Sequence, residues 1–433
     1  MATNARQGRG EEGTVSGDVG ADVGIDRAWR HPAQVVGCWD GAAAVDPSLL
    51  RCRTSGSWWE CLESAGVTLL VTREYEHLVI ALSVVRGKPL VSYLTLPHPS
   101  GLAVDRRNNI VHVASTRNPN QIYDLAPVNQ VLPRFDMRHG TRGVPASAKG
   151  YGGPRRSAPR VGGRLEPDRR PMPPTLMPVR ARMFPGSLYM HDLAFVGQRL
   201  YANAVGHNAV VRIGDKGFEY AWWPRCVETR RGVLVQQNHL QLNSIAAGAS
   251  LRSSYFSAST DRISRLRPGD PGFPVDRRGV VFSGATREPI AFGLTRPHSA
   301  RLRGGRVWLL NSGYGEYGYI EGGGFHSVTT LPGWTRGLCF HRRIAFVGTS
   351  RVLPRFRQYA PGLRVERAIC GVHAIDADSG RVLGSLTWPG GNQIFAIDWV
   401  PRRMAAQLPF EMGAAATPLS LFYAYRPQGV KLP

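Results

Sequence analysis

Lysine is nearly absent. Only Lys88, Lys149, Lys216 and Lys431 stand among the 54 basic residues of this 433-residue chain, so a formal net charge of +23 is carried almost wholly by arginine. So lopsided a preference marks a GC-rich, actinobacterial type of coding composition as much as it marks an anionic partner, which weakens the step from charge to nucleic acid. The charge is also concentrated: 12 basic residues face only Asp136, Glu166 and Asp168 between Val131 and Pro185. That stretch is rich in Pro, Gly and Arg and lacks an interleaved aromatic platform for stacking bases, so it reads as a solvated insertion over 134–185. Nucleic acid is not the expected partner.

Other absences narrow the field further. No run approaches the ~18 apolar residues of a membrane helix, so no membrane partner is expected. The first 30 residues have no apolar signal-peptide core and read as a disordered tail, followed by an extension over 31–65; residues 426–433 read as a C-terminal tail. The six cysteines contain no C-x-x-C pair and come with no export signal, so reduced thiols in a cytoplasm are expected. G-x-S-x-G, H-E-x-x-H and the P-loop are missing. "GYGEYGY" (313–319) lacks the G-x-G-x-x-G spacing and a following helix, so no nucleotide cofactor is expected.

What the chain does have is glycine and proline, 50 and 32 of them, and short apolar runs between turns, the marks of an all-β protein. Six segments repeat one pattern, a small or polar pair followed by a triplet that begins a strand. The triplets are Leu102-Ala103-Val104, Leu193-Ala194-Phe195, Ile245-Ala246-Ala247, Ala300-Arg301-Leu302, Leu338-Cys339-Phe340 and Ile397-Asp398-Trp399. Most continue through a tight turn into a second strand, as in "HSARLRGGRVWLLNS". Repeats of several strands each, unevenly spaced at 38 to 91 residues with the longest gap holding the basic insertion, specify a single β-propeller over 66–425. Six blades are counted, with seven as the alternative. The run "VTLLVTREYEHLVIALSVVRGKPLVSYLTL" supplies three strands ahead of the first copy, and these are expected to join the last copy and close the ring.

From about Gly66 to Pro401 the chain resembles an uncharacterised bacterial propeller-like family catalogued as a conserved domain of unknown function. The matching strings are "GLAVD", "HDLAF", "LNSIA", "RPHSARLRGGRVWLLNSGYGEYGYI", "LPGWTRGLCFHRRIAFVGTSRV" and "CGVHAIDADSGRVLG". The resemblance implies the propeller fold and brings no reaction with it. It also implies a histidine at the position of Gln241 and acidic residues at Gln393 and Ala396, from which this sequence departs.

In a propeller the first strand of each blade lines the central channel, so equivalent residues converge near one mouth. Two residues before each triplet stand Ser100, His191, Asn243, His298, Arg336 and Phe395. Two earlier, on the same face of a period-two strand, stand His98, Tyr189, Gln241, Arg296, Trp334 and Gln393. Convergent polar groups in a concave site point to a small-molecule pocket. Two chemistries suit them. His98, His191 and His298, with Asp192, would hold one transition metal (zinc, iron or copper) that activates water or, if redox-active, supports oxidative chemistry. Alternatively His191 and His298 act as acid and base, Arg336 clamps an anion and Asn243 orients the substrate. Against both stands a structural role, with imidazoles capping strand ends. His112, His207, His239, His326, His341 and His373 are expected in loops or on the surface. The expected function is therefore an enzyme of lyase, cyclase or hydrolase type acting on a small anionic metabolite. The alternative is a non-catalytic propeller that binds a protein or peptide.

Overall fold

A computed structural model of the chain describes residues 45–116, 120–128 and 173–411. The tail over 1–30, most of the insertion and the segment 426–433 lie outside these residues. The described chain forms six β-sheets arranged as the blades of a propeller, each antiparallel and built from four or five strands. Blade 2 runs outward through Pro99–Asp105, Ile110–Ser115, Asn120–Val128 and Thr175–Phe184. Blades 3, 4, 5 and 6 begin on Met190–Val196, Leu242–Ala246, Pro297–Arg303 and Trp334–His341. Blade 1 closes the ring: its innermost strand, Ile397–Pro401, pairs with Val67–Arg73, which continues through Leu78–Val85 and Lys88–Thr95. The strands ahead of the first repeat do complete the last one, as their position in the sequence implies.

Two boundaries differ from the sequence reading. The described part of the extension, 45–65, joins the propeller, because Arg53–Gly56 adds a fifth, outer strand to blade 6 by pairing with Val382–Thr387. The helix that follows, Trp58–Ala65, buries Trp58 and Leu62 against the blades. The insertion ends earlier than residue 185. Thr175–Phe184 is the fourth strand of blade 2, paired along its length with Asn120–Val128. Its Arg180 and Met183 face outward, as an edge strand allows, and that composition blends it into the basic stretch before it.

The core lies between blades. Leu193, Met190 and Ile122 pack between blades 2 and 3, and Phe256 stacks on Trp222 (centroids 4.0 Å apart) between blades 3 and 4. Trp308, Tyr317 and Leu338 fill the gap between blades 5 and 6. Phe273, Trp334, Tyr359 and Ala360 form a further apolar cluster where the loops 260–278 and 351–369 fold over one mouth of the channel. Cys52, Cys61, Cys226, Cys339 and Cys370 are free thiols. No described helix is long and apolar enough to cross a membrane.

The inner strands share a local irregularity that sets up the site. At or just before the start of the triplet in blades 2 to 6, the inner strand carries one residue more than the strand it pairs with. Pairing jumps, for example, from Met190–Ala204 to Leu193–Ala202 and from Thr335–Thr349 to Leu338–Val347. Such a β-bulge turns side chains away from the regular alternation. Oxygens at the bulges then tie each blade to the next: Asp192 accepts from the Ile245 N–H (3.0 Å), Ser244 from Ala300 (2.8 Å) and Ser299 from Gly337 (2.8 Å).

Candidate functional site

Immediately before the inner strands of blades 2 to 5 stand His98, Tyr189, Gln241 and Arg296. All four adopt left-handed backbone, with φ between 44° and 53°. A non-glycine residue there costs about 1 kcal/mol or more, and the cost recurs blade after blade. It aims side chains at the channel mouth. Of the twelve positions aligned from the repeats, nine line one cavity of about 300 Å³: Tyr189 and His191, Gln241, Arg296 and His298, Trp334 and Arg336, Gln393 and Phe395.

Two guanidinium groups dominate its chemistry. Arg336 is 6 % exposed and lies flat on the Phe395 ring, 3.3 Å from the centroid, with one terminal nitrogen 3.4 Å from His191 Nδ1. Arg296 is 2 % exposed and stacks on Tyr359 at 3.9 Å; it donates to Gln241 Oε1, to Ser259 Oγ (3.3 Å) and to the Pro268 carbonyl (2.9 Å). Neither pairs with a carboxylate among the described residues. Burial pulls both below the usual arginine range, Arg336 to about 10, although Glu74 and the neighbouring tyrosines favour its charge. Arginine nevertheless stays protonated at neutral pH. Two buried positive charges therefore face one cavity, joined at its edge by Arg355 and, among the described residues, opposed there by Glu74.

The chain belongs to the DUF4915 family. The family model, described as a domain of unknown function, matches residues 166–408, which span blades 3 to 6 and the closing strand. No curated protein sequence matches the chain. Among solved structures it is similar to a chain of a nidogen–laminin complex (10% identity, 79% of this chain and 99% of that one, TM-score 0.46). It is also similar to the WD40 β-propeller domain of Doa1 (9% identity, 65% and 86%, TM-score 0.33). A third is a gluconolactonase from Xanthomonas campestris (12% identity, 68% and 77%, TM-score 0.37). The chemistry of this DUF4915 propeller has to be read from the cavity itself.

His298 has a defined tautomer. Ser312 Oγ donates its proton to the Thr335 carbonyl (2.6 Å), so it must accept from His298 Nδ1 at 2.9 Å. Nδ1 therefore carries hydrogen, and Nε2 is left with its lone pair. Burial, then the charges of Arg336, His191 and Arg296, push the ring well below the ordinary histidine range, so it is neutral near pH 7. A neutral imidazole with a bare Nε2 is a base or a hydrogen-bond acceptor. His191 packs edge-on against Tyr189 and Phe395, at 4.7 and 5.3 Å.

Not all the residues singled out in the sequence meet at this cavity. His98 does not line it, and its ring packs on His77 at 4.4 Å. Asp192 turns into the blade interface, where Arg301 grips it with two nitrogens (2.8 and 3.3 Å). Asn243 donates to Ser259 Oγ and the Pro297 carbonyl, tying blade 4 to blade 5 away from the cavity. His98, His191, His298 and Asp192 thus do not converge as a metal site. Among the described residues no three His, Cys, Asp or Glu side chains do. Two further histidines depart from the surface placement expected of them. His112 is buried mid-strand in blade 2, with Nδ1 2.6 Å from Asp124. His373 is buried in blade 6 between Thr349 Oγ1 (2.9 Å) and Ser385 Oγ (2.8 Å). Sequence reasoning also missed Glu74, Tyr75, Arg355, Phe356 and Tyr359. These come from connections outside the repeated strands; the aromatic and basic run "PRFRQY" was the one visible signal.

Proposed function

We propose that the cavity binds a small anionic metabolite, a carboxylate or phosphate, and that the protein acts on it by acid–base chemistry. One observation carries this reading: Arg296 and Arg336 are buried, charged and without a carboxylate partner among the described residues, and both face a cavity of metabolite size. Keeping Arg336 charged at a site that pulls it to about 10 costs the fold about 3 kcal/mol. No ion pair with a described residue offsets that cost; a bound anion would. The guanidinium carbon of Arg336 lies over the Phe395 ring, so its N–H groups rather than its face are what a carboxylate or phosphate would meet, while Arg296 adds its charge beside it.

In this reading Arg336 and Arg296 bind and orient the anion, and His298 Nε2 takes a proton from the substrate. Anion binding would also prepare the base. Cancelling the two positive charges that depress His298 raises its proton affinity, so the base strengthens once substrate is in place. The His298 imidazolium formed in that step is then the group that returns the proton. The metal-assisted version has only His191 and His298 of its four expected ligands to draw on here, which favours the metal-free one.

The test is thermal denaturation of the full chain with inorganic phosphate or malonate, for wild type and Arg336→Met. Either anion is expected to raise the wild-type Tm in proportion to ln(1 + [L]/Kd), with no rise in the variant. An equal rise in both proteins defeats the proposal.

A further inference from the structure

On the opposite mouth of the channel, a groove of about 680 Å³ runs between blades 1 and 6. Its floor is apolar: Val67, Val85, Pro173, Pro174, Pro401 and Ala406. Its rim is Arg86, Arg342, Arg402 and Arg403, and no described aspartate or glutamate lines it. None of the four arginines forms an ion pair with a described residue, whereas neighbouring arginines do: Arg343 lies 3.6 Å from Asp376, and Arg106 lies 3.9 Å from Asp398. Arg402 is anchored by donating to the Val84 carbonyl, and Arg86, Arg342 and Arg403 are exposed.

We propose that this groove docks an acidic segment of a partner protein, an extended peptide that alternates carboxylates with apolar side chains. Three features select that occupant. Exposed arginines are screened by water and salt, so each holds a small anion weakly. A chain bearing several carboxylates engages all four together and gains from the linkage. The apolar floor between the charges gives the intervening side chains a surface to cover. A nucleic acid of equal charge would look for an open aromatic face on which to stack its bases. The tryptophan of the groove, Trp399, already has the Arg106 guanidinium 4.2 Å over its ring and His341 packed edge-on at 4.5 Å, and its Nε1 donates to the Phe340 carbonyl.

The experiment is fluorescence anisotropy on the full chain with a fluorescein-labelled dodecapeptide of repeating Glu-Glu-Leu, at 50 and 300 mM salt. Wild type is compared with the exposed-rim variant Arg86→Gln/Arg342→Gln/Arg403→Gln. A charge-matched control, Arg252→Gln/Arg262→Gln/Arg265→Gln, removes three exposed arginines elsewhere. The expected result is about tenfold or more weaker binding in the rim variant, with the control close to wild type. An equal loss in the control would mean that net charge alone attracts the peptide, and overturns the proposal. So would failure of wild type to bind at 50 mM salt. Twelve-nucleotide poly-dT that binds wild type more tightly than the peptide and loses affinity in the rim variant would reassign the groove to nucleic acid.

Discussion

At the scale of single residues, the cavity is arranged around charge left uncompensated. An arginine that served the fold would lower stability when removed, because it would strand a buried carboxylate. Arg336 has no such partner among the described residues, so Arg336→Met should leave the Tm unchanged or raise it, while abolishing stabilisation by phosphate; calorimetry of the two proteins checks both. His298 supplies a second expectation. Nitrogen-15 NMR should find hydrogen on Nδ1 and not on Nε2, with protonation only well below the ordinary histidine range. Added phosphate should move its titration upward, and a downward or absent shift would separate His298 from the anion site. A third concerns metal. Elemental mass spectrometry of untagged protein should find zinc, iron and copper well below one atom per chain. Stoichiometric metal that disappears in a folded His191→Ala/His298→Ala variant would instead restore a two-histidine centre.

At the scale of elements, the bulge before each triplet decides both the site and the joints between blades. Gly101 occupies the bulge of blade 2, where a Cβ would sit 2.6 Å from the Leu193 nitrogen and 2.7 Å from the Asp192 backbone of blade 3. Gly101→Ala should therefore cost about 1–3 kcal/mol in urea unfolding, and a cost near zero would mean that blades 2 and 3 are free to separate. His373 bridges two strand neighbours in blade 6 and is held down to about 4 by burial. The unfolded chain, with its histidine near 6.5, binds the proton first, so stability is intact above pH 6.5 and is lost as pH falls toward 4. The full loss is about 3 kcal/mol, and His373→Gln, which keeps hydrogen-bonding groups in place, should flatten that limb of the stability–pH curve. Much of this geometry was legible in the residues. The triplets fix the alternation, and nine of the twelve aligned positions share the cavity. Asp192 and Asn243 could not be assigned that way, because a bulge sends one of two adjacent side chains into the neighbouring blade. His112 and His373 were readable after all: "NIVHVAS" and "GVHAID" alternate like buried strands, with histidine on one face.

At the scale of the whole molecule, what escaped the sequence lies in the loops. Glu74 and Tyr75 sit in a tight turn of blade 1, and Arg355, Phe356 and Tyr359 in the long connection within blade 6. These segments vary from blade to blade, so no repeat marks them, and only the closed ring brings them over the same mouth. Closure depends on Ile397–Pro401 pairing with Val67–Arg73. A chain stopped after residue 390 would lack that strand together with Gln393 and Phe395 of the cavity wall. It should lose cooperative unfolding in calorimetry; a sharp transition in the truncated chain would show that the other blades hold without the clasp. The same pairing sets a delay during synthesis. Three strands of blade 1 leave the ribosome early, and their inner partner follows some 300 residues later, roughly 15–60 s at cellular translation rates. Through that interval Val67–Arg73 presents an unsatisfied edge to every neighbouring nascent chain, so the cell must shield one end of this protein until the other arrives.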